Sequence, residues 1–382
     1  MNSRTEELAQ YRQQAEEIRG HVANLAERIC QVPAPPFQEE RRAEFVADLF
    51  RDAGYQPTID DVGNVVVRRT GTGDAGSIML LGHLDTVFPE GTDINVTRGE
   101  GTLHGPGIGD NSLGVATLLG AAYSLDRLEL KTAGDLLLVA NVGEEGLGNL
   151  RGARAAVDHF ESELGAVIAV EGHSLGRVTS GAVGSKRIKV TITGPGGHSW
   201  GAFGQPSAIH ELGRIIHQID SIDVPLEPKT TYNVGVVEGG VSVNTVAPRA
   251  SAIIDMRSVD VDSLETLADN VDEIIERRNQ GDIQCEIEIL GERPAGETPE
   301  SAPIVQTALS ILRDLGMDPY TDASSTDANV PISRGIPAIC IGITRGEGSH
   351  RVEETIQTEP IATGLAQLIA MLMAYPYNSP KR

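Results

Sequence analysis

The chain has 382 residues, of which 40% are apolar, and carries a formal net charge of -23. A chain of this length is too long for a single simple core and suits two domains. The acidic net charge argues against nucleic acid or an anionic membrane as a partner, because both require basic patches. No apolar stretch approaches the roughly 20 residues that cross a bilayer. The start of the chain is charged, unlike a secretory signal, and Cys30, Cys285 and Cys340 are widely spaced and odd in number. We therefore expect free thiols and a cytoplasmic protein.

Helices and strands alternate in the first part of the chain. The predicted elements are a helix over 4–31, a helix over 38–52, strands over 65–67 and 78–82, a helix over 112–125, a strand over 135–142, a helix over 150–160 and a strand over 166–170. The runs at 78–82 and 136–142 are continuously apolar or nearly so, as in strands buried on both faces. This order predicts an α/β fold with a mostly parallel sheet and helices on both faces.

The pattern changes near Ser180. The next predicted elements are strand 187–193, helix 206–219, strands 233–237 and 252–257, helix 262–279 and strand 283–290. This is the βαββαβ order of a ferredoxin-like domain. A polar linker from Gly291 then leads to helix 302–315, strand 338–343 and helix 361–373. These elements return to the α/β pattern of the first part of the chain. We therefore predict an α/β domain in two parts, 1–182 and 294–382, interrupted by an inserted domain over 183–293.

Histidine and acidic side chains stand where the predicted strands end. They are His83, the pair Glu144-Glu145 and Glu171 after apolar runs, Asp110 after the turn Gly105-Pro-Gly-Ile-Gly, and His350 in a downstream Gly-rich loop. The carboxyl ends of strands in an open parallel sheet meet at one rim. Two histidines and three carboxylates suit two divalent ions, zinc first, with manganese or cobalt as alternatives. Glu144 would then accept a proton from water as general base, which points to a hydrolase.

Asp85 lies two residues after His83, on the same side of an extended chain. Because a metal-bound imidazole usually donates its second N–H to a carboxylate, we expect Asp85 to orient His83. Taken singly, each of these residues has an ordinary interpretation, such as a hydrogen bond in the core for the His-x-Asp pair or a helix cap for Asp110. The metal site is therefore inferred from their conjunction at successive strand ends.

Seven segments follow one another over nearly the whole chain. They are Gly82-His-Leu-Asp-Thr-Val, Gly105-Pro-Gly-Ile-Gly-Asp-Asn-Ser-Leu-Gly, Asn141-Val-Gly-Glu-Glu-Gly, Val170-Glu-Gly-His, Gly194-Pro-Gly-Gly-His-Ser, Asn244-Thr-Val-Ala-Pro and Gly346-Glu-Gly-Ser-His. In this order they resemble the dinuclear-zinc metallopeptidase family of glutamate carboxypeptidase, acetylornithine deacetylase, succinyl-diaminopimelate desuccinylase and tripeptide aminopeptidase. The inserted domain falls where that family has its lid.

The resemblance implies a role for each ligand. His83 and Glu171 would hold one metal, Glu145 and His350 the other, and Asp110 would bridge them. It also implies a cis peptide bond between Asp110 and Asn111. His173, two residues past Glu171, is expected to support the ligands or to lie at the surface.

The resemblance also assigns roles in the lid. His198 would donate a hydrogen bond to the oxyanion, and Asn244 and Arg257 would hold a substrate carboxylate, a task that suits the fork of Arg. The alternatives are a local hydrogen bond for His198 and a structural pair with Asp255 or Asp260 for Arg257. The segment Ser324–Pro331 either lines the substrate pocket or caps a helix.

The expected activity is hydrolysis of an amide bond in a small carboxylate-bearing substrate, a di- or tripeptide or an N-acyl amino acid. A biosynthetic deacylase (a deacetylase or desuccinylase) is the alternative, and a non-catalytic binding protein of the same fold is the rival from another class. The family also implies a homodimer through the lid, whose sheet would otherwise leave edge strands exposed.

Overall fold

The computed structural model describes residues 2–377. Its helices are α1 (Asn2–Cys30), α2 (Glu40–Asp52), α3 (Gly114–Arg127), α4 (Arg151–Phe160), α5 (Ala208–Ile219), α6 (Val261–Glu276), α7 (Pro303–Asp314), α8 (Asn329–Ser333) and α9 (Ile361–Ala374). None of the helices found within 2–377 is both long enough and apolar enough for a bilayer crossing.

Strands alternate with these helices along the chain. They are β1 (Thr58–Ile59), β2 (Val65–Arg69), β3 (Ser77–His83), β4 (Thr97–Gly99), β5 (Thr102–His104), β6 (Leu136–Asn141), β7 (Leu164–Glu171), β8 (Arg177–Ala182), β9 (Gly184–Thr193), β10 (Gly197–His198), β11 (Thr230–Gly239), β12 (Thr245–Val246), β13 (Arg249–Ser258), β14 (Gln284–Arg293), β15 (Gly296–Glu297), β16 (Tyr320–Ser324), β17 (Ala338–Gly342), β18 (Gly346–Glu347) and β19 (Thr355–Gln357). The chain divides into two compact units, of which the second is Val183–Gly296 and the first is formed by the segments on either side of it.

A nine-stranded sheet organises the first unit. Its order is β1-β2-β6-β3-β7-β17-β8-β15, with β16 beside β8. The four central strands β6, β3, β7 and β17 run parallel, whereas β2 and β8 join them antiparallel. This arrangement confirms the predicted mostly parallel α/β sheet.

Helices cover both faces of this sheet. In β3, Ile78 and Leu80 belong to the core that packs against α1, α2, α3, α7 and α9, while Met79 and Leu81 belong to the core beneath α4 and α8. Successive side chains of a strand point to opposite faces. An uninterrupted apolar run is therefore what a strand with a core on each side requires.

The second unit has the βαββαβ element order. Its four strands are antiparallel in the order β11-β13-β9-β14, which is the ferredoxin-like strand order. Helices α5 and α6 pack on one face, against buried residues that include Ile188, Val190 and Ile192. The alternating sequence of β9 supplies this single apolar face.

Several short elements differ from the sequence-based expectation. The predicted linker from Gly291 is wrong in detail, because β14 continues to Arg293. The polar strands β8 and β16 extend the central sheet without having been predicted. A separate small sheet, β18-β19-β5-β4, was also not predicted. It brings the segment after His350 against the segment before Asp110, through pairing of β19 with β5.

Candidate metal centre

The parallel strands bring three predicted site segments to one rim. His83 is the last residue of β3, Glu171 is the last residue of β7, and Glu144 and Glu145 follow the end of β6. Because β6, β3 and β7 are neighbours in the sheet, their carboxyl ends lie side by side. The loops that carry Asp110 and His350 complete this cluster.

Asp110 lies between the two histidines. Its Oδ1 is 3.1 Å from His83 Nε2 and its Oδ2 is 3.3 Å from His350 Nε2. Glu171 Oε1 is 3.6 Å from His83 Nε2, and Glu145 Oε1 is 3.1 Å from His350 Nε2. The five side chains therefore form two groups, with Asp110 common to both.

This sharing of one carboxylate fits two cations. His83, Asp110 and Glu171 form one group and Asp110, Glu145 and His350 the other, and within each group the candidate ligand atoms lie within 4.8 Å of one another. A third group joins His83 and Glu145 to Glu144, so the candidate base borders the same space. Imidazole nitrogen and carboxylate oxygen are ligands that zinc and related divalent ions accept.

The electrostatics of the cluster favour bound positive charge. Hydrogen bonds with Asp110 and Glu145 raise the pKa of His350 to about 10. Burial by itself would lower the pKa of His83, but the adjacent Glu171 and Asp110 carboxylates raise it well above its usual value. Burial would likewise raise the pKa of Asp110, and its contacts with the two histidines hold it well below its usual range. A divalent cation would compete with protons for these imidazoles.

The structure corrects the expected partner of His83. Its Nδ1 lies 2.9 Å from the backbone carbonyl oxygen of Asp85, while the nearest contact to the Asp85 carboxylate is 3.8 Å. That carboxylate is fully buried and accepts the backbone N–H of Glu144 at 3.0 Å and of Glu145 at 2.7 Å. These two backbone N–H groups occupy both oxygens of the Asp85 carboxylate, one each, in place of the imidazole. Asp85 therefore orients His83 through its main chain and holds the Glu144-Glu145 loop with its side chain.

The loop after Asp110 is fastened by Asn111. Its Nδ2 donates to the Val170 carbonyl at 2.8 Å, and its Oδ1 accepts the N–H groups of Gly114 and Gly172 at 3.1 and 3.0 Å. The Asp110–Asn111 peptide bond is cis, as the resemblance implied. Asp110 does not cap α3, since Asn111 makes the bond to the first residue of that helix.

Sequence reasoning missed Glu354 and left His173 without a defined role. The Glu354 side chain is fully buried, and its carboxylate accepts backbone N–H groups of the Asp110 loop. The signal was the acidic pair Glu353-Glu354 shortly after His350. Such a pair in a polar loop is ordinarily solvated, so the sequence alone gave no reason to bury it.

The segment Ser324–Pro331 provides both a helix start and a buried acid. Asn329 Oδ1 accepts the backbone N–H of Thr326 at 2.9 Å, next to α8. Asp327 instead accepts a hydrogen bond of 2.8 Å from Asn141 Nδ2, at the end of β6. Burial raises the pKa of Asp327 to about 7. Ala328, which precedes α8, makes no side-chain cap, so these contacts do not include the expected helix cap, and lining of the substrate pocket stays a prediction.

The second unit contains the remaining predicted site residues. His198 is exposed, and its Nδ1 accepts the backbone N–H of Trp200 at 3.2 Å. A neutral ring with this tautomer carries its proton on Nε2. Asn244 lies beside the His198 loop, because its carbonyl accepts the Ser199 N–H at 2.9 Å.

Arg257 is on β13, in the four-stranded sheet of the second unit, at the end of that sheet away from the His198 loop. It pairs with Ser185, near the start of β9, whereas the His198 loop follows the end of that strand at Thr193. These two positions on β9 are on the order of 26 Å apart at about 3.3 Å per residue. Arg257 Nε donates to Asp255 Oδ2 at 2.7 Å, so the structural pair considered as the alternative is present.

Comparisons with known proteins point to one family. Residues 79–374 match the model of peptidase family M20/M25/M40. The chain is 27% identical to a succinyl-diaminopimelate desuccinylase of Corynebacterium glutamicum, over 94% of this chain and 97% of the relative. It is 24% identical to an acetylornithine deacetylase of Myxococcus xanthus, over 86% and 89%. The crystal structure of aminopeptidase PepT from Bacillus cereus superposes with a TM-score of 0.78 at 22% identity, over 93% of this chain and 98% of that one.

Proposed function

The chain belongs to peptidase family M20/M25/M40 and is a metal-dependent hydrolase, and on this premise we propose that it cleaves the amide bond of a small substrate with a free carboxylate. The substrate classes are di- and tripeptides and N-acyl amino acids. The observation that carries this proposal is Asp110, shared by two groups of ligand atoms, with Glu144 at their border. Binding without catalysis would not need this acid beside the ligands.

The proposed metal ligands follow from the two groups. His83 and Glu171 would hold one ion, Glu145 and His350 the other, and Asp110 both. Two divalent ions bound there, with zinc first and manganese or cobalt as alternatives, would polarise the scissile carbonyl and lower the pKa of an attacking water to about 7.

Proton transfer is assigned to Glu144. This side chain is buried, and the Asp85 carboxylate fixes its backbone at 3.0 Å. Glu144 would accept the proton of the attacking water and return it to the departing amine. His198, whose Nδ1 is an acceptor, would donate from Nε2 to the developing oxyanion. Asn244, which lies beside the His198 loop, is proposed to bind the substrate carboxylate. Arg257, about 26 Å away along β9 and paired with Asp255, would not reach the same carboxylate.

Different comparisons favour a peptidase activity and a deacylase activity. The closeness in fold to an aminopeptidase agrees with a peptidase, whereas a relative that matches over nearly its full length is named a desuccinylase. Pocket shape decides between these substrates, since both reactions cleave an amide.

A substrate panel tests the proposal. The purified chain, supplied in turn with zinc, manganese and cobalt, would be assayed on di- and tripeptides beside N-acetyl and N-succinyl amino acids. We expect turnover within one of these classes and a strongly reduced rate for Glu144→Gln. A chain that binds metal but hydrolyses no member of the panel would contradict the proposal and favour a binding protein.

A homodimer through the second unit is a further part of the proposal. The edge strand β11 exposes Val236 and Val237, and the loop after His198 exposes Trp200 and Phe203 to 89% and 93%. Exposed apolar side chains along an unpaired edge commonly mark a contact with another chain. A second copy of this chain would supply a matching edge.

We also propose a cytoplasmic location. All three cysteines are free thiols, and Cys30 and Cys340 are buried. Unpaired thiols of this kind are typical of reducing compartments.

A further inference from the structure

Glu354 holds the loop that carries the shared ligand Asp110. Its Oε2 accepts the Gly107 N–H at 2.6 Å, and its Oε1 accepts the N–H groups of Gly109 and Asp110 at 2.9 and 2.8 Å. The side chain has no solvent exposure. A buried carboxylate is tolerated when donors surround it, and here three donors belong to one four-residue stretch of backbone.

His173 is the fourth donor to this carboxylate. Its Nε2 lies 2.6 Å from Glu354 Oε1, an oxygen that already accepts two backbone N–H groups. Since an ionised carboxylate only accepts hydrogen bonds, the imidazole must donate from Nε2. The contact therefore fixes which nitrogen of His173 carries a proton.

Two glycines make room for this imidazole. A Cβ atom at Gly109 would lie 2.2 Å from His173 Nε2, and one at Gly346 would lie 2.5 Å from its ring carbon Cε1. Real Cβ contacts are not this short, so any side chain at either position would displace the ring. The ring thus fills a slot between the Asp110 loop and the Gly346 segment.

The pair joins three of the five segments that carry proposed ligands, namely those of Asp110, Glu171 and His350. Glu354 follows His350 by four residues and His173 follows Glu171 by two. The backbone that Glu354 binds ends at Asp110. The main chain adds to this connection, because Gly105 N–H donates to the Glu354 carbonyl at 2.9 Å. A movement of any one loop would strain the contacts of the other two.

We propose that Glu354 and His173 are a positioning pair that fixes Asp110 between the two metal positions. This inference rests on the proposed function. Neither residue is within the groups of candidate ligand atoms, so both act through Asp110. Residues that orient metal ligands in this way typically change metal affinity by about 10- to 100-fold when substituted.

Cobalt binding tests the pair without using activity. Glu354→Gln replaces one acceptor oxygen with an amide donor that faces a backbone N–H, and His173→Ala removes the imidazole donor. We expect both variants to bind the second Co(II) ion about 10- to 100-fold more weakly in equilibrium dialysis, with an altered Co(II) absorption spectrum. His173→Gln, whose amide nitrogen can take the place of Nε2, should recover part of the affinity and the spectrum.

Asp135→Asn is the matched control. Asp135 accepts a backbone N–H from Gly71 at 3.0 Å and pairs with Arg68 at 2.8 Å, at the amino end of β6 and away from the ligand rim. This change should leave both Co(II) affinities and the spectrum unaltered, which separates positioning from a general loss of stability.

The possible results separate failure of the positioning role of Glu354 and His173 from failure of the proposed function. Suppose that the wild-type chain binds two Co(II) ions and that Glu354→Gln and His173→Ala match it in both affinities and in the spectrum. This result would overturn the positioning pair but not the proposed function. Wild-type chain that binds fewer than two ions would overturn the proposed function, and the pair with it. If Glu354→Gln does not fold, the comparison of His173→Ala with His173→Gln decides, because both keep Glu354.

Discussion

Glu144 and Glu145 are neighbours in the chain with different surroundings. Glu145 Oε1 is 3.1 Å from His350 Nε2 and belongs to the group of Asp110 and His350. Glu144 is grouped with His83 and Glu145 but not with Asp110. Asp85 binds the backbone N–H of both residues. One loop, fixed by Asp85, thus carries both the proposed ligand Glu145 and the proposed base Glu144.

Glu144→Gln should separate catalysis from metal binding. We expect kcat to fall by about 10²- to 10⁴-fold, because an amide cannot accept the proton of the attacking water. Metal content should stay at the wild-type level, since Glu144 is not an assigned ligand. Steady-state kinetics with metal analysis of the same preparation measures both quantities. Wild-type turnover by this variant would remove Glu144 from the mechanism.

Metal binding should release protons from the two histidines. Contacts with carboxylates raise the pKa of His350 to about 10 and that of His83 well above its usual value, so both imidazoles are charged near neutral pH until a cation displaces their protons. Metal affinity should therefore increase as the pH rises through neutrality. Calorimetric titrations of zinc in buffers with different ionisation enthalpies would count the protons.

A variant identifies the source of these protons. His350→Ala should release about one proton fewer than wild type, because one of the two charged imidazoles is missing. Proton release that is absent in wild type, or unchanged in His350→Ala, would contradict the proposed exchange of protons for metal.

At the scale of elements, the predictable parts are those with long apolar patterns. The runs of β3 and β6 identified buried parallel strands, and their ends identified His83, Glu144 and Glu145. The amphipathic helices of the second unit and its alternating strand β9 were likewise visible in the sequence. In each case many residues repeat one periodic signal.

The unpredicted parts depend on contacts between distant segments. Strands β8 and β16 are polar and short, and β5 and β19 have three residues each, which is too few to show a period. The burial of Glu354 depends on the loop at 107–110, about 245 residues earlier. The sequence shows that these residues can form hydrogen bonds but not which partners they meet.

Gly109→Ala should loosen the metal centre. The added Cβ would lie 2.2 Å from His173 Nε2, so either the imidazole or the Asp110 loop must move. We expect weaker metal binding and a lower Tm of the metal-loaded chain, measured by equilibrium dialysis and calorimetry. An alanine that is accommodated without change in either quantity would show that the slot is looser than the structure indicates.

Gly20→Ala is the matched control for this substitution. Gly20 lies within α1, and nothing is within 4 Å of its added Cβ. This change should stabilise the chain by about 0.4–1 kcal/mol, because alanine favours the helix and restricts the unfolded chain. Its metal affinity should equal that of wild type.

For the whole molecule, the residues proposed for metal binding and proton transfer lie in one unit, and those proposed to contact the substrate lie in the other. The α/β unit contains all five proposed ligands, Glu144 and Asp85, while the inserted unit contains His198 and Asn244. We expect the net charge of -23 to disfavour nucleic acid as a partner. It does not prevent binding of an anionic substrate, since two divalent cations would reverse the local charge at the site.

The oligomeric state tests the proposed role of the inserted unit. We expect a mass of twice 40.5 kDa by light scattering, and a shift to monomer for Val237→Lys, which places a charge on the exposed side of β11. Tyr320→Lys is the control, because Tyr320 is similarly exposed, at 58% against 56% for Val237, but lies in the first unit. A monomeric wild-type chain at all concentrations would contradict the dimer.

The number of divalent ions bound per chain tests the central claim most directly, namely that five separated side chains meet around two cations. Wild-type chain and an Asp110→Ala variant would be equilibrated with zinc, gel-filtered and measured for metal and protein. The account predicts two ions per chain for wild type and fewer for the variant, which lacks the shared ligand. A wild-type ratio of one or less at saturating zinc, or an unchanged ratio without Asp110, would contradict it.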